Sequence, residues 1–154
     1  MTYDWEGNAE GTGQTPKLPN GVHDLEITRV IFTDRDGTAL SSRGGDPKIG
    51  IIFADDQGRE GSDWVTLSDK AGFVLARILS KAGVDMAKMN ADGVVPADFA
   101  EREFAEPNLI GRRLRAEVTW GKDGKGKDVC EIVPIGPAGE DMPAATAIEV
   151  DIPI

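Results

Sequence analysis

The chain has 154 residues, a length that suits one domain with tails and that can bury a core without disulfides or bound metals. Its single cysteine, Cys130, excludes an internal disulfide and a zinc site made of thiolates within one chain. The net charge of −10 excludes a protein that is basic throughout, whereas 19 glycines and nine prolines favour many turns and short strands. We expect a mainly β, soluble, cytoplasmic protein without a signal peptide or a membrane-spanning segment.

The first half of the chain predicts an arm followed by three strands. Residues 1–20 are polar and rich in glycine, and they predict a flexible arm that ends in a turn. Residues 22–33 predict a first strand, with a bulge near Arg29 where the apolar alternation slips by one position. Alternating apolar residues at 49–53, and a return strand at 60–67 after a turn, predict the second and third strands.

The second half predicts one helix and a second hairpin. Apolar residues at spacings of three and four predict an amphipathic helix over 69–82. A short helix over 96–104 is also predicted. Alternation over 112–120, a glycine-rich turn, and apolar residues over 128–135 predict strands four and five.

The order of three strands, one helix and two strands is that of the OB fold, a five-stranded barrel with the helix between strands three and four. The same order could belong to another small α+β fold. We predict an OB-fold domain over 21–136, followed by a disordered acidic tail over 137–154.

Two motifs that suggest chemistry fail on inspection. Residues 121–127 match part of a phosphate-binding P-loop, but Asp128 follows where Ser or Thr should bind Mg²⁺, and the segment joins two predicted strands. Asp34 and Asp36, followed by Gly37, resemble the start of a calcium loop, but the glycine comes too early. His23 is the only histidine, so we predict no catalytic residue, no metal site, no cofactor and no enzyme activity.

Several segments are similar in order and spacing to a family of phage-encoded proteins of the DUF669 type. The similar segments are residues 4–6, 18–27, 64–67 and 109–114, and they fall within residues 4–135. The resemblance implies an OB-like single-stranded DNA-binding protein that acts in phage replication and recombination in the host cytoplasm.

Binding of single strands needs cations that follow the phosphates and flat side chains on which bases stack. The aromatic candidate is Trp64, which the pattern leaves open between core and stacking, while Trp120 alternates with core residues. The predicted groove crosses strands two and three, between the loops at 34–48 and 121–127. The predicted DNA-binding residues are Arg43, Lys48, Arg59, Trp64, Arg112, Arg113, Arg115, Lys122, Lys125 and Lys127.

The last residues are similar to the tip of bacterial single-stranded DNA-binding proteins, which reads Asp-Ile-Pro-Phe. The resemblance implies a tip that recruits replication, recombination or repair proteins, although an isoleucine replaces the aromatic anchor. The predicted tip residues are Glu149, Asp151, Ile152, Pro153 and Ile154.

Two other functions stay open. An acidic protein-binding adaptor, or an inhibitor that mimics nucleic acid, would use the charge of −10 directly. A small enzyme with a carboxylate-bound metal is a third reading for which the sequence names no site. Homo-oligomers occur among OB proteins, and the sequence does not decide between DNA and RNA.

Overall fold

The computed structural model describes residues 17–139. This part of the chain is mainly β, as predicted, and its five strands form one antiparallel sheet in the order β3-β2-β1-β4-β5. The sheet does not close into a barrel, because no ladder joins the edge strands β3 and β5. The strands are β1 (Gly21–Ile31), β2 (Lys48–Ala54), β3 (Glu60–Thr66), β4 (Arg113–Lys122) and β5 (Asp128–Gly136).

The central strand β1 serves two neighbours along its length. Its first half pairs with β4 and its second half pairs with β2, and Glu26 has a partner on each side. The register with β2 shifts between Ile27 and Arg29, which agrees with the predicted bulge. An extra residue in one strand increases the local bend and twist, so the bulge curves the sheet at the point where β1 changes partner.

The segment between β3 and β4 holds more helices than predicted. The single helix expected over 69–82 begins only at residue 73, because the Ser68 hydroxyl accepts a hydrogen bond from the Ala71 N–H and holds a turn there. The prediction of one helix was wrong. Three α-helices and a 3₁₀ helix are present: α1 (Phe73–Lys81), α2 (Met86–Ala91), the 3₁₀ helix (Pro96–Ala100) and α3 (Arg102–Leu109).

The core lies between one face of the sheet and these helices. Alternation along the strands sends every second side chain inward, and the inward positions are mostly apolar. The helical segment adds buried apolar side chains from α1, the 3₁₀ helix and α3, which pack against the core of the sheet. The largest fully buried side chains are Leu18, Leu25, Ile27, Ile49, Ile51, Phe53, Leu67, Ile78, Leu79, Phe99, Leu109 and Leu114.

The edge strands β3 and β5 approach each other without pairing. A Cβ added at Gly61 of β3 would lie 3.1 Å from the Cys130 Sγ of β5, a contact tight enough that a neighbouring side chain would have to shift. Residues 17 and 18, which were predicted to belong to the flexible arm, pack where β3 approaches β5, a place that we call the seam. Lys17 bridges to Glu60, and the side chain of Leu18 is 1% exposed.

The helices within residues 17–139 are all too short or too polar to cross a membrane.

Candidate nucleic-acid interface

Four tight turns of the same construction connect the strands and divide the long β1–β2 connection. In each turn an Asp or Ser side chain accepts hydrogen bonds from backbone N–H groups two or four residues ahead. A glycine three residues ahead has a φ between 77° and 86°, a conformation that other residues rarely adopt. The turns begin at Asp34, Ser42, Asp55 and Asp123, and their glycines are Gly37, Gly45, Gly58 and Gly126.

These turns account for the two motifs that suggested chemistry. The Asp34 carboxylate accepts hydrogen bonds from backbone N–H groups and so stabilises its turn. The glycine–lysine motif at 121–127 forms the tip of the β4–β5 hairpin. The turns also present basic side chains to solvent. Arg43 is exposed in the β1–β2 connection, and Lys125 and Lys127 are exposed at the β4–β5 tip.

Trp64 lies on the outer face of the sheet, which resolves the ambiguity that the sequence left. Its side chain points away from the core, and the residue is 47% exposed. The indole covers Gly50, its direct partner on β2, and the Lys48 ammonium lies 5.8 Å from the indole ring centroid. Lys48, Gly50 and Trp64 therefore form one patch with an open aromatic ring beside a cation, which we call the Trp64 surface.

The arginines of β4 are paired with carboxylates. Arg115 donates two hydrogen bonds to Asp24, its direct partner on β1, at 2.8 and 3.2 Å. Hydrogen bonds from Arg115 hold the pKa of Asp24 below its usual value. Arg113 lies opposite Glu26, where burial raises the pKa of that carboxyl and the positive charge of Arg113 partly offsets the effect. Arg113, Arg115 and Glu117 share the outer face of β4, and we call them the β4 row. Its two arginines lie opposite two acids of β1, so the row is not a continuous positive surface.

Two other predicted DNA-binding arginines serve the fold. The Nε of Arg59 lies 2.6 Å from the carboxylate of Asp55, whose side chain is 5% exposed. Burial alone would raise the pKa of Asp55, but hydrogen bonds from Arg59 and Gln57 outweigh it and lower the pKa. Arg112 donates to the Asn108 carbonyl at the end of α3, and its buried Nη2 has no hydrogen-bond partner within the described residues. Burial accordingly lowers the pKa of Arg112.

The base of the β4–β5 hairpin holds a small ion cluster. Lys17 and Lys122 both contact Asp128, and their hydrogen bonds lower the pKa of that carboxyl, the Lys122 contact having the larger effect. Trp120 packs against the core from this end, as its alternation predicted. Its indole N–H donates to the Leu18 carbonyl at 2.6 Å.

The structure divides the predicted DNA-binding residues between two ends of the sheet. Lys48 pairs with Thr66 at one end, whereas Glu60 marks the other end, where Lys17 links β3 to the β4–β5 hairpin. The length of β2 separates these ends by about 20 Å. Arg43, Lys48 and Trp64 belong to the first end, and Lys122, Lys125 and Lys127 belong to the second. The tip residues, Glu149 to Ile154, lie outside the described residues.

No family model matches this sequence, and no curated protein matches it. The resemblance to the DUF669-type family therefore stays a prediction that depends on the residues quoted for it.

Sequence reasoning missed a partly buried acid where β3 approaches β5. Asp63 shares the inner face of β3 with Gly61 and Val65, and it has no ion-pair partner within residues 17–139. Burial raises the pKa of Asp63 to about 6, and the nearby charge of Glu131 on β5 adds to the shift. Burial also raises the pKa of the adjacent Cys130 thiol. The alternation of β3 contained the signal, because it places Asp63 on the same face as Gly61 and Val65.

Proposed function

We propose that this chain is a sequence-tolerant single-stranded DNA-binding protein that acts in phage DNA replication or recombination. The observation that carries the proposal is the exposed indole of Trp64, which lies on Gly50 with the Lys48 ammonium beside it. Stacking of a base on an aromatic side chain is worth about 1–3 kcal/mol, and every base offers a π face, so such a contact tolerates any sequence.

The architecture proposed with this function is an open OB-type barrel. The strand order, the close approach of β3 to β5 and the helices between β3 and β4 support it. In OB domains, the face of strands two and three and the loops beside it bind oligonucleotides. The Trp64 surface belongs to that face, and Arg43 lies in the neighbouring connection.

The net charge of −10 argues against a polyanionic ligand, but most of this charge lies outside the described domain. All 17 basic residues of the chain fall within residues 17–139, whereas seven of the 27 acids fall outside them. The described domain therefore carries a formal charge of −3 of the total −10. Local cations at the two ends of β2 can then contact phosphates, since affinity depends on where charges lie and not only on their sum.

A bound DNA strand that runs from the Trp64 surface toward the β4–β5 tip would follow β2 and β3 for about 20 Å. An OB fold contacts about 4 to 16 nucleotides, which is enough to cover this length. Its phosphates would meet Arg43 and Lys48 first and then Lys125 and Lys127. The arginines of the β4 row would contribute less, because Asp24 and Glu26 already face them.

The test is a fluorescence-anisotropy titration of the full chain with labelled oligothymidine and with a duplex of the same length, at two salt concentrations. We expect tighter binding to the single strand, and a slope of log K against log salt of roughly −2 to −3 for three or four phosphate contacts. Equal affinity for duplex, or no binding at low salt, would overturn the proposal.

The C-terminal tip is proposed as the site that recruits partner proteins. Its support is the resemblance of residues 149–154 to the tips of bacterial single-stranded DNA-binding proteins. Removal of these six residues should leave oligothymidine affinity within about twofold, since they carry no cation, and should abolish binding to purified replication or recombination proteins. Retention of that binding would refute this role.

An acidic protein-binding adaptor remains the second candidate, favoured by the pairing of the β4 row with carboxylates. It predicts no response to any oligonucleotide at low salt and stoichiometric binding to a basic protein. The same anisotropy titration separates it from the first proposal.

A further inference from the structure

Gly50 occupies a position where a glycine is costly. It lies in the middle of β2, between the partners Ile31 on β1 and Trp64 on β3, and it is buried. Glycine in a strand interior destabilises by about 0.5–1 kcal/mol relative to alanine, because it loses more backbone freedom and packs no side chain. A glycine at this position therefore calls for a reason in its surroundings.

The reason is the indole of Trp64. A Cβ added at Gly50 would lie 2.5 Å from Cζ3 of the ring and 2.9 Å from both Cε3 and Cη2, the two atoms bonded to Cζ3. Because the three distances differ by only 0.4 Å, the added atom would lie over the ring face; at the ring edge it would be much nearer to one atom than to its neighbours. The indole therefore lies flat against the backbone of β2, and any side chain at position 50 would displace it.

This packing leaves the ring of Trp64 with one usable face. One face of the indole covers Gly50, the residue is 47% exposed, and the Lys48 ammonium lies 5.8 Å from the ring centroid. Aromatic rings that cover strand glycines also occur as purely structural devices. Such a device needs no exposed face and no neighbouring cation, and the Trp64 surface has both.

We infer that Gly50 is a positioning residue that holds the Trp64 indole parallel to the sheet, so that the Trp64 surface takes one unpaired base, stacked on the outer face of the ring with its phosphate toward Lys48. The inference rests on the proposed function. A base that is paired in a duplex presents only its edges, so a flat one-face site of this kind selects single strands.

The test replaces Gly50 with alanine. The new Cβ lifts the ring from the sheet, while alanine relieves part of the backbone cost of glycine, so the fold should persist. We expect Gly50→Ala to weaken oligothymidine binding by about 3- to 30-fold, a fraction of one stacked base. Gly136→Ala is the matched control, because Gly136 is also a strand glycine and a Cβ there would meet nothing within 4 Å.

Two readouts separate positioning from a general structural effect. In a chain whose other tryptophans are changed by Trp5→Phe and Trp120→Phe, oligothymidine should quench Trp64 fluorescence, and Gly50→Ala should reduce the quenching at saturation. In a Trp64→Ala background, Gly50→Ala should have no further effect on affinity, because the ring through which it acts is gone. Urea unfolding of each variant reports whether its fold is intact.

The outcomes are distinct. Loss of affinity on Gly50→Ala that disappears in the Trp64→Ala background supports the inference. If Trp64→Ala weakens binding but Gly50→Ala changes neither affinity nor quenching, the positioning role is wrong while the proposed function stands. If oligothymidine does not bind the unmodified chain at all, both are wrong.

Discussion

The Trp64 surface and the β4 row differ in how far their functional groups are already satisfied by the fold. On the β4 row, Arg115 makes two hydrogen bonds to Asp24 and Arg113 faces Glu26. On the Trp64 surface, the ring is half exposed, and Lys48 has no carboxylate partner within residues 17–139. A run of basic residues in a sequence therefore does not show by itself that a strand is a cationic surface.

The difference follows from cross-strand pairing. Residues directly opposite on antiparallel strands approach closely enough for ion pairs. Whether a carboxylate balances the charge of an arginine therefore depends on a partner that is distant in sequence. Asp24 and Arg115 are 91 positions apart. Ligand binding at such a site must compete with an existing pair, whereas the Trp64 surface offers a face and a cation that no acid of residues 17–139 occupies.

The largest expected effect is the loss of DNA affinity on Trp64→Ala. Removing the ring should cost about 1–3 kcal/mol of binding, or roughly 5- to 150-fold in the dissociation constant, because one stacked base is lost. Trp64→Phe, which keeps a smaller ring, should lose less. The measurement is anisotropy with oligothymidine. Full affinity in Trp64→Ala would move the site away from the Trp64 surface.

The next effect concerns stability and arises behind the Trp64 surface, at Asp63. Its folded pKa of about 6 lies above the usual 3.8, so the folded state holds the proton more tightly. The free energy of unfolding should therefore fall as the pH rises from about 4 to beyond 6. Asp63→Asn removes this cost, and we expect it to stabilise the protein by about 1–2 kcal/mol at about pH 8 and by little at about pH 4.

Urea unfolding at both pH values measures this difference. Ser62→Ala is a suitable control, since Ser62 is the neighbouring residue on the outer face of β3. Asp63→Asn should leave oligothymidine affinity unchanged, because Asp63 and Trp64 occupy opposite faces of the strand. Equal stabilisation at both pH values would show that the carboxyl is not the source.

The sequence predicted the strands better than the helices for a physical reason. Most strands alternate visibly in the sequence. β2 and β4 also end in turns that an aspartate and a glycine indicate, Asp55 with Gly58 and Asp123 with Gly126. The helix α2 has six residues and no buried side chain, so it produces no clear periodicity. Its signal is local, because the Asp85 side chain accepts a hydrogen bond from the Lys88 N–H at its start.

The candidate site was predictable only in part. Composition and spacing identified Trp64 and Lys48 as candidates, but they could not show which face of β3 Trp64 occupies. Predicting the role of Gly50 requires the register of β2 against β3. Predicting the ion pair of Arg115 with Asp24 requires the register of β1 against β4. Registers of this kind depend on contacts between distant segments, which alternation within one strand does not encode.

A smaller effect is expected from the ion pair of the β4 row. Arg115→Ala should change oligothymidine affinity by less than about twofold, while a double-mutant cycle with Asp24→Ala should give a coupling of about 0.5–1 kcal/mol in stability. This stability is present above the unfolded pKa of Asp24 and is lost as the pH falls through its lowered folded pKa. A tenfold loss of DNA affinity in Arg115→Ala would instead make the β4 row part of the interface.

The last expected effect, on the salt dependence of binding, lies at the β4–β5 tip. Lys125 and Lys127 flank a turn there, and both of their backbone N–H groups donate to the Asp123 side chain. Each lysine that contacts a phosphate of a single strand should contribute about 0.7 to the slope of log K against log salt. Replacing both with alanine should therefore reduce the slope by about 1.4 and weaken binding mainly at low salt. Lys70→Ala serves as the control, because Lys70 is an exposed lysine in the turn before α1. An unchanged slope would confine the bound strand to the Trp64 end of the sheet.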